Sequence, residues 1–448
     1  MRIAVIGAGI VGVTTAFELA SDGHEVVVYE RQGSVAGATS FAITGLMSPG
    51  IVAPWAAPGM PMRLFRSLVG KHSGVRLSPS VNPAVWSWLS QWRRASSREV
   101  HFARRAAMQR LALVSQHRFH DIGSKLKLDY EHTRGAMTLL RTAQDVDRMQ
   151  PAIALMAELG VRHEVIDRET CMAVEPGLNP EAPLAGAIYF RDDQVANCRQ
   201  YAHLLRTAAQ QLGAKFRFHT EVERIVPGAQ PQLVLRTKAS PDSEPPSILV
   251  DGSRHGFAVT QPLQVQADHD SADAVVVCAA MGASSLLAPH GLKLPVLPVH
   301  GYSVTAPMRN FEAHPRHGPQ SGIFDAKHQV AITRLGSRIR VAGCHEIAGH
   351  RTRHDKAAIV TLYRVLEDWF PGVARISHAQ AWRGARPMLP DGPPVLGASG
   401  IPGVWLNLGH GDHGWALACG SARVVSDLLA SRKPDVDTAD FGVHRLHQ

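Results

Sequence analysis

The sequence predicts an α/β fold: a parallel sheet layered with helices and assembled from separated segments, with mixed α+β regions inserted between them. Three observations predict it. The opening stretch MRIAVIGAGIVGVTTAFELASDGHEVVVYER reads as strand, tight turn, helix and strand. Strand-to-helix alternation recurs in the middle of the chain and at its end. Between these stretches lie two regions of different patterning, one mostly helical and one built of alternating strands.

The opening stretch is the most specific. Arg2–Ile6 is a short apolar, β-branched run, which predicts a buried parallel strand. Gly7, Gly9 and Gly12 follow in G-x-G-x-x-G spacing. Gly7 permits the tight turn, Gly9 lets backbone approach a pyrophosphate, and Gly12 lets helix and strand pack closely. A helix from Ile10 to Ala20 offers unpaired N–H groups and a positive dipole end to phosphates. The second strand ends on Glu30, where a carboxylate meets a ribose. Ile6, Gly7, Gly9, Ile10, Val11, Gly12, Glu30 and Arg31 are therefore the first candidate dinucleotide contacts. The small, hydroxylated loop Ala38–Gly45 adds Ser40 and Gly45; it is either a plain surface loop or one suited to a flat ring or a phosphate.

The chain then turns irregular over Ser48–Pro61, with four prolines and two glycines. Met62–Val69 is a short basic amphipathic stretch, read either as a surface contact or as a small packed helix. Asn82–Leu126 is helical with a break near Ala95–Arg98, and Trp86, Trp88 and Trp92 lie along its first part. Gly135–Leu140, His163–Ile166 and Gly186–Phe190 read as strands, with helix over Ala143–Leu159. Asp192–Asn197 leads into a helix over Cys198–Leu212. Lys215–His219 and Val222–Ile225 are strands, and backbone near Val222 is placed to complete an adenine pocket. Pro227–Asp273 reads as a β-meander, with an exposed loop at Ser240–Ser247. Asp273–Cys278 is a buried strand running into Ala279, Ala280 and Gly282, read either as a second close approach of backbone to a nucleotide or as a tight strand-to-helix turn, which needs the same small residues. Val296–Ala306, Val330–Thr333 and Ile339–Gly343 are further strands, and Lys356–Phe370 is a helix. Val404–Leu408 precedes the turn Gly409, His410, Gly411, Asp412, His413, Gly414, which opens a long helix to about Leu429. That turn has the form of an anion or flavin-pyrimidine site.

Composition narrows the function. At 448 residues the chain is long enough for two or three domains, and 45% hydrophobic with 19% charged residues is ordinary for a globular protein. The formal charge is +9, but the basic residues are scattered and no nucleic-acid motif accompanies them. The five cysteines are far apart with no C-x-x-C, which argues for reduced thiols in a cytoplasmic setting and against a metal or Fe–S site. The apolar N-terminus is the nucleotide unit rather than a signal peptide, and no other window approaches a membrane span. Any membrane contact is expected to be peripheral, on the cytoplasmic face.

Gly7/Gly9/Gly12/Glu30, His300-Gly301-Tyr302, Ala385-Arg386-Pro387 with Pro390-Asp391-Gly392, and the Gly409–Gly414 turn together resemble the D-amino acid oxidase superfamily of flavoproteins. Within it the chain is most similar to the small subunit of bacterial D-amino acid dehydrogenases. The run Ser48-Pro49-Gly50-Ile51-Val52-Ala53-Pro54-Trp55-Ala56-Ala57-Pro58-Gly59 carries most of that likeness. The resemblance implies FAD on a Rossmann-like domain of the glutathione-reductase type, and a second α+β substrate domain on an antiparallel sheet. It implies hydride transfer from the α-carbon of an amino acid to flavin N5, release of a 2-oxo acid and ammonia, and electrons passed to a quinone or an electron-transfer protein. On this reading residues 1–48, 150–226, 270–292 and 380–435 bind FAD. Residues 49–149 and 293–379 form the substrate domain, with 227–269 as the meander. Arg386 maps to the family's carboxylate-binding arginine, a role its planar guanidinium suits; the bland alternative is a structural ion pair. Tyr302 either lends a hydroxyl to the site or sits in the sheet, and His410 either assists near the flavin or caps the helix. Two departures stand out: Ile43-Thr44-Gly45 where the family shows Asn-Ala-Gly, and Asp412-His413 where it shows Thr-x. Both keep cyclic or N-methyl amino acids open as substrates. A flavin subunit of a larger complex, and oligomerisation, also stay open.

Overall fold

Arg2–Ile6 and Glu25–Tyr29 form strands with side chains alternating between two apolar layers, so neither face needs a polar residue. They lie at the centre of a six-stranded sheet ordered Val395–Ala398, Val404–Leu408, Ala274–Val277, Arg2–Ile6, Glu25–Tyr29, Lys215–Arg217. All neighbours are parallel except the edge pair Val395–Ala398 with Val404–Leu408. The computed structural model describes residues 1–67, 75–77, 82–237, 266–309, 311–314, 316–347 and 355–447. The expected loop Ser240–Ser247 and the end of the basic stretch, Leu68 and Val69, lie outside the described residues.

One face of this sheet, through Ile3, Val5, Val26, Val28, Ala274 and Val276, packs on helices Ile10–Ser21, Arg98–Leu126, Cys198–Gln211 and Gly414–Leu429. The other, through Ala4, Ile6, Val27, Tyr29, Val275 and Val277, packs on a meander of Thr220–Val226, Gln232–Thr237 and Gln266–Ser271. Buried Glu18 ties three of the helices together. Arg118 Nε donates to it at 2.6 Å and Arg423 Nη1 at 2.9 Å. The long helix Arg98–Leu126 thus packs with the nucleotide-side helices, although the sequence grouped residues 49–149 with the substrate domain.

The second sheet has ten strands and is mostly antiparallel. Its main path is Gln380–Met388, Leu297–Pro307, Arg338–Ile347, Val330–Leu335, Gly322–Asp325, His132–Leu140, Gly186–Ala196, Leu46–Met47, with Val75–Leu77 and Glu164–Ile166 attached. Helix Lys356–Trp369 covers one face through Ala358, Leu362, Val365, Leu366 and Trp369. Four segments sit differently from the sequence reading. That reading places Leu46–Met47 with 1–48, Glu164–Ile166 and Gly186–Ala196 with 150–226, and Gln380–Met388 with 380–435, yet all pair within this second sheet. The strand from Gly186 also runs on through Asp192–Ala196, expected as a lead-in to the helix. Pairing with both His132–Leu140 and Leu46–Met47 extends it past a polar stretch that has little strand propensity of its own.

That extension buries Asp193. Ser48 Oγ donates to one of its oxygens and Gln116 Nε2 to the other, at 2.9 Å. Burial nonetheless pushes the carboxyl up to about 7. An acid whose pKa is raised on folding binds more protons in the native state, so its contribution to stability falls as pH rises from the ordinary carboxylate range to about 7. The melting temperature of wild type minus that of Asp193→Asn is expected to decline across that window. A difference independent of pH would refute the assignment.

Candidate active site

The first Gly-rich turn is held by backbone geometry. Gly7 has φ +103°, and a Cβ there would stand 2.8 Å from Cys278 O. A Cβ on Gly12 would overlap the carbonyl oxygen of Gly7. The absence of both side chains brings the turn after Arg2–Ile6 against the turn after Ala274–Val277. Cys278, Ala279, Ala280 and Gly282 thereby join Ile6, Gly7, Gly9, Ile10, Val11 and Gly12 at one end of the parallel sheet. Glu30 sits beside them, accepting from the N–H of Ala8 at 2.7 Å and of Gln32 at 2.8 Å. Ser40 Oγ accepts from the N–H of Ile10 at 3.1 Å, at the start of a helix whose own N-cap, Gly9, offers no side chain. The strand carrying Val222 reaches the same edge, where Thr220 N–H donates to Glu30 O at 2.9 Å. The Val222 side chain itself packs beneath the sheet, and Arg31 is exposed.

A cavity of about 1100 Å³ opens between the two sheets. Its walls include Ile43, Thr44, Trp55, Arg105, Phe190, His345, Arg386, Asp412, His413 and Trp415. The segment Ile43-Thr44-Gly45 is pinned carbonyl by carbonyl: Arg340 Nη1 donates to Ile43 O at 2.9 Å, Thr333 Oγ1 to Thr44 O at 2.8 Å, and Trp415 Nε1 to Gly45 O at 3.0 Å. The Pro-rich run beginning at Ser48 is tied down along its length. Arg105 and Gln109 donate to Gly50 O at 3.1 and 3.3 Å. His413 Nε2 lies 2.9 Å from Ala53 O, and His101 Nδ1 lies 2.7 Å from Ala56 O. Trp55 stacks on His345, with ring centroids 5.3 Å apart. Burial without an acid partner lowers Arg105 to about 10, which still leaves it a cation.

Arg386 reaches the cavity from strand Gln380–Met388, with its guanidinium lying across Gly301 of the neighbouring strand. A Cβ on Gly301 would overlap the guanidinium carbon, which explains the glycine of His300-Gly301-Tyr302. The turn Gly411–His413 is drawn alongside by a β-bridge between Met388 and His410. Arg386 Nη1 stands 2.9 Å from Asp412 Oδ1, and Asp412 Oδ2 stands 2.6 Å from His345 Nε2. Burial alone would raise the Asp412 carboxyl, but Arg386 and His345 outweigh it and hold the group far below the usual carboxylate range. Directly after the turn begins helix Gly414–Leu429, with no side-chain cap, so its positive end faces the cavity wall at Trp415 and Ala416.

A family model described as FAD dependent oxidoreductase, the DAO family, matches residues 2–428. The chain belongs to that family. As an FAD-dependent oxidoreductase it is 36% identical over 447 residues to a D-amino acid dehydrogenase of Bradyrhizobium diazoefficiens, covering 99% of both chains. It is 38% identical over 448 residues to one from Cereibacter sphaeroides, covering 99% of this chain and 95% of the relative. Among solved structures, the glycine oxidase of Geobacillus kaustophilus shares the fold with a TM-score of 0.69 at 21% identity, covering 99% of this chain and 98% of the other. The L-proline dehydrogenase of P. horikoshii does so at 0.71 and 16%, covering 100% and 97%.

The residues present fit FAD. Gly9 leaves its side open, since a Cβ there would meet only Ser40 Oγ, at 3.5 Å. Two helix N-termini lacking caps of their own, at Ile10 and Gly414, would offer donors to the phosphates and to the far end of the cofactor. Tyr302 and His410, by contrast, do not line the cavity. Tyr302 is buried in the sheet with its hydroxyl donating to Glu346 at 2.5 Å. His410 turns inward, its Nε2 at 2.9 Å from Ser421 Oγ, and burial pushes it down to about 3, leaving a neutral ring. Gly409, Gly411 and Gly414 shape the turn, while Asp412 and His413 are the side chains it presents. Sequence reasoning missed His345, Arg105 and His101. His345 lies inside a strand with no motif around it, and its partner Asp412 is 67 positions away.

Proposed function

We propose that the chain is a D-amino acid dehydrogenase that converts D-amino acids to 2-oxo acids and ammonia and passes the electrons to a quinone or another acceptor. The observation that carries this reading is Arg386, a half-buried guanidinium lying flat on the cavity wall beside the N-terminus of helix Gly414–Leu429. The full-length likeness to D-amino acid dehydrogenases supports the substrate class.

FAD, when bound, supplies the acceptor for the hydride of the substrate α-carbon. The chain's own task is mainly to orient and enclose. Arg386 offers a planar fork to the substrate carboxylate, and its position over Gly301 fixes the plane of that fork. Trp55, Ile51 and Phe190 provide apolar wall, which limits water around the reacting carbon. The positive end of helix Gly414–Leu429 favours negative charge arising at that end of the cavity. The imino acid released from this wall adds water and loses ammonia. Among the described residues no helix is long and apolar enough to cross a membrane.

Anaerobic mixing of the holoenzyme with D- and L-amino acids tests the reading. Loss of the oxidised flavin absorbance with D-isomers and its persistence with L-isomers is the expected result. Persistence with both, in protein carrying FAD, would overturn it.

A further inference from the structure

The anchor for a substrate carboxylate is already in use in the free protein. Arg386 has one charged partner among the described residues, Asp412, at 2.9 Å. Asp412 lines the same cavity, and its side chain is 21% exposed. Its second oxygen is fixed by His345 Nε2 at 2.6 Å, and His345 is itself clamped against Trp55. Asp412 therefore cannot swing away when a ligand arrives. A ligand that brings only a carboxylate competes with Asp412 for Arg386 and leaves that acid with His345 as its remaining partner in a largely enclosed place, which is costly. A ligand that brings a carboxylate and an adjacent ammonium carries its own replacement: its anion pairs with Arg386 while its cation pairs with Asp412. Four alternating charges then stand where two stood before.

We propose that Asp412 receives the substrate's cationic nitrogen and, by competing for Arg386, makes the site select α-amino and α-imino carboxylates over carboxylates without nitrogen. This rests on the functional reading above and names the specificity device within it. Secondary ammonium groups qualify as well as primary ones, since each carries two N–H donors. The ionised state of Asp412, held by Arg386 and His345, agrees with this role.

The test uses an isosteric pair of ligands, neither with an α-hydrogen to lose: 2-aminoisobutyrate, and pivalate, in which a methyl replaces the ammonium. Each is titrated into FAD-loaded wild type, Asp412→Asn and Asp412→Thr, with binding read from the flavin spectrum. Wild type is expected to bind 2-aminoisobutyrate more tightly than pivalate. In both variants pivalate should bind about tenfold more tightly than in wild type and 2-aminoisobutyrate about tenfold more weakly. Opposite signs distinguish recognition from support: an acid that merely holds Arg386 in place would weaken both ligands together. Parallel losses, no change in either ligand, or wild type that binds neither would each overturn the proposal. The functional reading stands or falls separately, on reduction of wild type by D-amino acids.

Discussion

Arg386→Leu is expected to lower kcat/KM for a D-amino acid by about 10²–10³-fold, the cost of removing a charge-assisted partner from a largely enclosed site. Flavin content should be unchanged, because Arg386 belongs to the second sheet and is not part of the Gly7–Gly12 turn. Most of the loss should appear in KM if the arginine binds substrate and transition state alike, and in kcat if the misaligned α-carbon dominates. Arg386→Lys separates charge from shape. It keeps a cation for Asp412 but loses the fork, so it should recover stability more fully than activity. Steady-state kinetics with an artificial electron acceptor, alongside melting temperatures, would check both variants. Full activity of Arg386→Leu would remove the arginine from the site.

Gly9→Ala and Gly12→Ala should fail in different ways although they sit three positions apart. At Gly12 a Cβ would overlap Gly7 O, so the turn itself must open; the apoprotein should lose about 1–3 kcal/mol, as overpacked sites do. Gly9 has φ −66° and ψ 178°, which alanine adopts freely, and a Cβ there meets only Ser40 Oγ at 3.5 Å. Gly9→Ala should therefore leave the apoprotein's melting temperature near wild type and still bind FAD much more weakly, because the added methyl occupies the approach of the pyrophosphate. Denaturation of the apo forms and fluorometric FAD titration distinguish the two. Equal FAD affinity for Gly9→Ala and wild type would place the pyrophosphate elsewhere.

The parts of the fold visible in the sequence were those fixed by local pattern. The opening strand, turn, helix and second strand could be read because each residue type there answers to its nearest neighbours, and Val404–Leu408 could be read from its apolar run. Gln380–Met388 was less legible as a strand of the second sheet. Tryptophan, arginine, glycine and proline crowd it, and its conformation comes from pairing with Leu297–Pro307, about eighty residues away. The same reason hid the surroundings of Arg386. Its motif pointed to a carboxylate ligand, but nothing near it in sequence announced Asp412 or His345, which three-dimensional proximity alone supplies. Tyr302 and His410 each stand between two roles in the sequence, and burial turns both inward, Tyr302 onto Glu346 and His410 onto Ser421.

The placement of Arg2–Ile6 has a consequence for how the molecule is made. One neighbour of this strand, Glu25–Tyr29, emerges almost at once, but the other, Ala274–Val277, follows only after most of the chain; Arg2 N–H and its acceptor on Asp273 are 271 positions apart. During synthesis one edge of the opening strand therefore stays unpaired while the intervening segments fold, and such edges invite pairing with other chains. Closure is a late, long-range event, of the kind that slows folding. The turn after Ala274–Val277 also completes the Gly7 site, so the nucleotide-binding surface matures at the same late step. A ligand that recognises only the closed turn would then draw nascent chains toward the native state and reduce aggregation.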